Sequence, residues 1–344
     1  MYPSVGYSAS RSATGRPPLR HIVQLPNRES LEVAARIVYA AMPATPQYVW
    51  PLLAEALGTE TWLKHENHTP VGAFKLRGGL TYFDALRRQQ PGCRGVVSAT
   101  KGNHGQSIGF AARRCGLPAT IFVPFGNSRE KNAAMRALGV TLIEHGHDFQ
   151  AAREEAARFA AERALHFVRA FDMDLVRGVA TYWIELFAAA PDLDVIFVPV
   201  GQGSGICAAI AARQALGLAT RIVGVVSAQA PCHALSFREK RVIEAPVTTQ
   251  IADGLACRIP DAEALELMLR HVEEIVEVSD EEVAAAMRLL FAATHNVAEG
   301  AGAASLAGAL QRRGQLRGHK VGLTLCGANV DSDLFARVLA GASH

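Results

Sequence analysis

The chain has 344 residues, a formal net charge of +3, 49% hydrophobic residues and 19% charged residues. This length predicts about two domains. The high hydrophobic and low charged fractions exclude a chain that is disordered throughout. A small net charge without a basic stripe argues against nucleic acid as a partner, and no apolar run reaches the roughly 18 residues of a membrane span.

The cysteine pattern predicts reduced, buried thiols in a cytoplasmic protein. None of the six cysteines forms a C-x-x-C pair, which argues against a zinc ribbon and a disulfide scaffold. Residues 1–20 are rich in Ser, Pro, Gly and Arg and lack the apolar segment of a signal peptide, so we expect a loose leader there.

From residue 29 the chain alternates between helical and strand patterns. Helices are predicted at 29–41, 74–89, 103–116, 128–139 and 148–164, with Gly116 ending one and Ser128 and Asp148 capping two others. The strands between them are predicted at 61–66, 95–100, 119–125 and 141–146.

The alternation continues to the end of the sequence. Further strands are predicted at 166–171, 194–201, 221–228, 273–280 and 320–327. Further helices are predicted at 174–190, from Ser204 onward, at 280–295 and at 301–313.

This rhythm predicts an α/β protein with two interleaved domains. Each is expected to be an open, twisted, mostly parallel sheet with helices on both faces. We assign residues 21–87 and 174–344 to a large domain and residues 88–173 to a small one.

Ligands of parallel sheets bind at the carboxyl ends of strands, and three strand-to-helix turns stand out there. In the turn at 200–206, Gly201, Gly203 and Gly205 let backbone N–H groups approach an anion at a helix N-terminus. Ile206 occupies the last glycine position of the dinucleotide fingerprint, so a single phosphate fits better than a dinucleotide. A tight turn needed only for packing is the alternative.

The other two turns carry a lysine and a possible carboxylate site. Lys75, at 71–75, begins a helix whose dipole disfavours a cation, and an amine of lowered pKa suits Schiff-base chemistry. The N–H groups of Gly102, Asn103 and His104, in the turn at 99–106, suit a carboxylate. A solvated surface lysine and an ordinary Asn-capped turn are the alternatives.

Taken together, these segments resemble the fold-type II pyridoxal-phosphate enzymes, in their serine/threonine dehydratase branch, over residues 30–335. The match combines five motifs with Glu299 in the segment AEGAGAAS. The motifs are PVGAFKLRG at 70–78, TKGNHGQ at 100–106, GQGSG at 201–205, ADG at 252–254 and CGAN at 326–329.

The resemblance implies pyridoxal 5'-phosphate as cofactor and a role for each matched residue. Lys75 would carry the cofactor as a Schiff base and shuttle protons, and Cys326 would meet the ring nitrogen. Residues expected to bind the cofactor are Phe74, Asn103, Gly201, Gly203, Ser204, Gly205, Gly254 and Glu299. Residues expected to bind the substrate are Thr100, Lys101, Gly102 and His104.

The implied activity is that of an ammonia-lyase, which converts a β-hydroxy-α-amino acid such as threonine or serine into a 2-oxo acid and ammonia. A bulkier substrate such as phenylserine or hydroxyaspartate, a racemase, a β-replacement enzyme and a catalytically inactive small-molecule sensor are the alternatives. Lys101 stands where racemases carry a serine, which argues against racemisation. Val226 stands where metal-binding members carry Glu, and no metal site is expected in this protein. A homodimer is also expected.

Overall fold

The computed structural model describes residues 23–341. The predicted leader at 1–20 lies outside these residues. The strands of the described chain are β1 (Gln47–Val49), β2 (Thr61–His65), β3 (Val96–Ala99), β4 (Ala119–Val123), β5 (Thr141–Glu144), β6 (His166–Phe167), β7 (Val195–Pro199), β8 (Arg221–Ser227), β9 (Glu274–Val278) and β10 (Val321–Leu325).

Helices surround these strands, and none in the described residues has the length and apolar character that crossing a membrane requires. They are α1 (Arg28–Tyr39), α2 (Pro51–Leu57), α3 (Lys75–Gln89), α4 (Asn103–Arg114), α5 (Arg129–Ala137), α6 (Phe149–Glu162), α7 (Met173–Ala189), α8 (Ser204–Leu216), α9 (Cys232–Glu239), α10 (Ala262–His271), α11 (Asp280–Thr294), α12 (Gly300–Arg312) and α13 (Ser332–Leu339).

The strands form two sheets. The larger has the order β1-β2-β10-β7-β8-β9, and only β1 runs antiparallel to its neighbour. The smaller has the order β5-β4-β3-β6 and is parallel throughout. The α/β class and the mostly parallel sheets are therefore confirmed. The smaller sheet uses residues 96–167, and the domain boundaries at 88 and 173 stay a prediction.

Local signals in the sequence account for several element ends. The side chain of Ser128 accepts a hydrogen bond from the N–H of Lys131 at 3.1 Å, and that of Asp148 accepts one from Ala151 at 2.8 Å. Gly116 follows α4 in the left-handed region, with φ of 66°. Both predicted caps and the predicted helix end are confirmed, because these residues satisfy backbone groups left open at helix termini.

Other elements differ from the sequence-based prediction. The strand predicted at 166–171 is only two residues long, since it lies at a sheet edge and pairs with β3 alone. The sequence prediction missed β1, α2, α9, α10 and α13, which are short. Elements of this length depend on packing against neighbours more than on their own periodicity.

A buried ionic network holds the start of α3. The Arg77 guanidinium is fully buried and donates to both oxygens of Glu66, at 2.7 and 2.9 Å, and to Glu185 on α7 at 2.6 Å. Lys64 on β2 also pairs with Glu185. Burial raises the pKa of Glu185, but hydrogen bonds and charge from Arg77 and Lys64 outweigh that effect and lower it.

Glycine allows α3 and α7 to come close enough for this network. A Cβ at Gly178 of α7 would lie 2.1 Å from the carbonyl oxygen of Arg77 and 2.3 Å from Oγ1 of Thr81. No larger residue fits without moving one helix. The close crossing brings Glu185 to Arg77 and positions the first turn of α3.

Replacing Arg77 tests this network. We expect Arg77→Met to lower the free energy of unfolding by about 3–5 kcal/mol, because two buried carboxylates lose their main counter-ion. Arg88→Met is the matched control, since Arg88 lies on the same helix and pairs with Asp84 at an exposed site; its effect should be about 0–1 kcal/mol. Urea denaturation measures both, and equal losses would contradict the prediction.

Candidate active site

Three adjacent strands of the large sheet end in the loops that the sequence singled out. The order β2-β10-β7 places the Lys75 loop, the loop after Cys326 and the glycine loop side by side. The N–H of Phe74 donates to the Cys326 carbonyl at 3.0 Å, and that of Ala328 donates to the Gly72 carbonyl at 2.9 Å. The Lys75 loop and the loop that follows β10 are therefore joined through their backbones.

The glycine loop, residues 201–205, presents open backbone donors ahead of α8. Gly203 has φ of 102°, a conformation that disfavours any side chain. Within residues 23–341, the N–H groups of Gly201, Gln202 and Gly203 donate no hydrogen bond. Ser204 and Gly205 begin α8, where N–H groups lack intrahelical partners. This set of donors suits a phosphate.

Lys75 is the first residue of α3, and its Nζ lies 4.3 Å from the centre of the Phe74 ring. It lines a cavity of about 80 Å³ together with Thr100, Asn103 and Gly201. Burial lowers the pKa of Lys75, and Lys131 lowers it further, against opposing effects of Cys326 and Glu299. The amine is therefore closer to its neutral, nucleophilic form than a surface lysine would be.

The first turn of α4 forms another wall of this cavity. The N–H of Gly102 donates to Oγ1 of Thr100 at 2.9 Å, and its expected part in binding a carboxylate stays a prediction. The N–H groups of Asn103 and His104 begin the helix and stay open. Nε2 of buried His104 has no partner in the described chain, and burial lowers the pKa of this histidine to about 3.

Asn103 lies at one end of a buried polar cluster. Its Nδ2 donates to Glu299 at 2.5 Å, and its Oδ1 accepts from Asn329 at 2.8 Å. The other oxygen of Glu299 accepts from Lys131 Nζ at 3.0 Å, and Lys131 also donates to Asp253 at 2.6 Å. Burial disfavours the Lys131 cation, but Asp253 and Glu299 outweigh it and raise its pKa.

Cys326 lies close enough to Lys75 for each to shift the pKa of the other, and Gly254 lies at the cavity. Burial, with Glu299 adding to it, raises the pKa of Cys326 to about 12, so its side chain is a neutral thiol. Gly254 lines the cavity, and its carbonyl oxygen would lie 2.4 Å from a Cβ at Gly201. The close backbone contact explains the glycine at 201.

Lys101 differs from the other lysines around the cavity. It lines both the cavity and a crevice of about 760 Å³ outside it. Within the described residues it has neither a hydrogen bond nor an ion pair. A positive charge without a protein partner is thus held at the entrance.

These groups fit pyridoxal phosphate. Open N–H donors at the glycine loop suit its phosphate, and the Lys75 amine, whose pKa is lowered, suits its aldehyde. The second hydrogen on Nδ2 of Asn103 remains available as a donor. The neutral thiol of Cys326 can contact a ring nitrogen without forcing a proton onto it.

Comparison with known proteins agrees with this fit. The family model described as a pyridoxal-phosphate dependent enzyme matches residues 40–327. The chain belongs to that family. An L-threonine ammonia-lyase from Geobacter sulfurreducens is 35% identical to this enzyme over 279 residues, which are 81% of this chain and 69% of that protein.

Two further proteins support the same assignment. An L-threonine ammonia-lyase from Thermotoga maritima is 32% identical over 312 residues, which are 90% of this chain and 77% of that protein. The processed form of threonine deaminase isoform 2 from Solanum lycopersicum has the same fold, with a TM-score of 0.83 at 24% identity over 96% of this chain and 99% of that one. The expected family, fold type and cofactor are confirmed.

Sequence reasoning did not identify Lys131 as a residue of this pyridoxal-phosphate enzyme's site. It lies on α5, four residues before buried Met135, and therefore on the helix face that packs inward. A Cβ at Gly102, whose φ is 154°, would lie 2.3 Å from Cδ of Lys131. The sequence signal that could have identified Lys131 is a lysine on the apolar face of an amphipathic helix.

The buried cluster predicts a compensating pair of substitutions. We expect Lys131→Met to lower the free energy of unfolding by about 3–5 kcal/mol, because Glu299 and Asp253 lose their counter-ion. Adding Glu299→Gln removes one uncompensated charge and should recover part of the loss. Thermal or urea unfolding of both variants measures this, and additive losses would show that the two residues act independently.

Proposed function

We propose that this enzyme is an ammonia-lyase that converts a β-hydroxy-α-amino acid into a 2-oxo acid and ammonia. The observation that carries the proposal is the buried Lys75 amine of lowered pKa, in one cavity with the glycine loop and the first turn of α4. The two relatives named as L-threonine ammonia-lyases support threonine as the substrate, and serine stays a predicted alternative.

Substrate binding is assigned to the first turn of α4. The open N–H groups of Asn103 and His104 would receive the substrate carboxylate, aided by the positive end of the helix dipole. Thr100 supports this turn by accepting from the N–H of Gly102. His104 is neutral, so it can take part in a hydrogen bond without adding charge.

Proton transfer is assigned to Lys75. When bound, pyridoxal phosphate delocalises the electron pair left on the substrate α-carbon. The Lys75 amine would accept the α-proton and could give a proton to the β-hydroxyl group, which would leave as water. Phe74 lies against the Lys75 side chain and restricts its position.

Cofactor electronics are assigned to Cys326, Asn103 and Glu299. A neutral Cys326 thiol leaves the ring nitrogen without the strong protonation that a carboxylate would provide, which favours elimination over transamination. Glu299 holds the Asn103 amide in place, so that its second N–H can reach the ring hydroxyl. Gly201, Gly203, Ser204, Gly205 and Gly254 are assigned to the phosphate side of the cavity.

A homodimer and a cytoplasmic location stay predictions for this chain. Size-exclusion chromatography with light scattering decides the first, and cell fractionation decides the second. Neither outcome alters the assignments within the cavity.

Lys75→Ala tests the proposed function directly. We expect the variant to stay folded by circular dichroism, to lose the visible band that borohydride removes from the native enzyme, and to release 2-oxo acid at least about 100-fold more slowly. Lys320→Ala is the control, because Lys320 pairs with Asp192 at the surface. Native turnover in the Lys75 variant would refute the role of this residue.

Lys101→Ala tests whether the unpaired cation binds substrate. Loss of a charged hydrogen bond worth about 1.5–3 kcal/mol should raise KM about 10- to 100-fold, with little change in kcat if the contact is equal in the ground and transition states. A panel of neutral and acidic β-hydroxy amino acids shows which side chain depends most on Lys101. An unchanged KM for every substrate would place Lys101 outside the binding site.

Lys101→Ser belongs in the same experiment because it restores the residue that racemases carry at this position. The optical activity of recovered substrate reports racemisation. Racemisation of the substrate by the native enzyme would favour the racemase alternative.

A further inference from the structure

Three potential metal ligands meet beside the glycine loop. Cys232 and His233 are the first residues of α9, and Cys257 follows the turn at 253–255. One ligand atom of each lies within 4.8 Å of those of the other two. All three side chains are almost completely buried, with exposures of 0%, 1% and 2%.

The hydrogen bonding of His233 leaves one ring nitrogen open. Its Nε2 lies 2.7 Å from the carbonyl oxygen of Gly201, and a carbonyl can only accept, so Nε2 carries the hydrogen. Nδ1 is then a bare lone pair, and it has no partner in the described chain. Metal-binding histidines commonly donate their other N–H to a backbone carbonyl in this way.

The two thiols have only weak hydrogen bonds to lose on metal binding. Cys232 donates to the carbonyl of Cys257 at 3.0 Å, and Cys257 donates to that of Ile259 at 3.2 Å. The Gln202 amide lies 3.2 Å from Sγ of Cys257. A bound cation would displace the protons of both thiols. The Gln202 N–H would then stabilise the thiolate of Cys257.

We propose that Cys232, His233 and Cys257 bind a zinc ion. Zn–S and Zn–N bonds of about 2.3 and 2.0–2.1 Å in a tetrahedron put the ligand atoms about 3.5–3.8 Å apart. Small side-chain shifts bring the present cluster to that spacing. Two sulfurs and an imidazole nitrogen are a soft ligand set that suits Zn²⁺ and not Mg²⁺ or Ca²⁺.

The sequence predicts no metal in this protein, and the proposed site departs from that prediction at residues other than Val226. Its ligands lack the C-x-x-C spacing of zinc ribbons, because 24 positions separate His233 from Cys257. Bound zinc would orient His233, whose N–H holds the carbonyl of Gly201. The site is therefore coupled to the backbone of the glycine loop, and one of its ligands, Cys257, also lines the cavity.

Cobalt and zinc titration of the holoenzyme tests the proposal. The protein is reduced, freed of metal by dialysis against a chelator, and titrated with Co²⁺, whose long-wavelength bands report tetrahedral thiolate coordination. Zinc affinity is then measured by competition with a chromophoric chelator. We expect one ion per chain.

The ligand variants are Cys257→Ala and His233→Gln, and Cys207→Ala is the matched control because Cys207 is buried outside the cluster. Gln at 233 can still donate to the Gly201 carbonyl, so the loop keeps that contact. We expect zinc affinity to fall at least about 100-fold in both ligand variants, more than the loss of a supporting partner causes, and to stay native in the control.

Three results would overturn the proposal. One is the absence of tetrahedral cobalt bands in the native chain, and another is equal zinc affinity in the native chain and a folded ligand variant. The third is a Cys232–Cys257 disulfide in the untreated protein, seen as a mass lower by two hydrogens, because a bridged pair offers no thiolates. These measurements do not use turnover, so they are independent of the proposed function.

Discussion

The buried pairing of Arg77 with Glu66 and Glu185 is the interaction on which the site depends most. It connects α3, the turn after β2 and α7 through groups that have almost no access to water. Burying charges is expensive, so such a network is stable only when each charge has its partners in place. The geometry is therefore specific, and it places Lys75 two residues before Arg77 at the edge of the cavity.

A second buried network lies next to the cavity. Around Lys131, Glu299 and Asp253 the charges compensate one another, and Asn103 extends the network into the cavity. At the groups that face the expected chemistry, burial instead favours the uncharged forms, because it lowers the pKa of Lys75 and His104 and raises that of Cys326. The cavity is therefore lined by a paired charge at Lys131 and Asp253, by the unpaired Lys101, and by uncharged donors such as His104 and Asn103.

The glycine loop connects these features to the rest of the large sheet. Its N–H groups face no partner in the described chain, whereas the Gly201 carbonyl is held by His233. Trp183 on α7 donates to the Gly205 carbonyl at 3.1 Å. Carbonyls tied to the protein and N–H groups left open are the arrangement that an anion site at a helix N-terminus requires.

The sequence by itself determined the alternation of strands and helices, the three chemically distinctive turns and the resemblance built on them. Those signals are local: glycines before a helix, a lysine at a helix start, and apolar strands between them. The partners of Lys131 and the cluster of Cys232, His233 and Cys257 were decided only by the tertiary structure. The partners of Lys131 lie on separate elements, as do Cys257 and the α9 pair, and only the order of strands and the packing of α5 and α9 bring them together. The protonation state and the ligands of a buried charge or thiol depend on neighbours distant in sequence, because burial and partners set them and residue type alone does not.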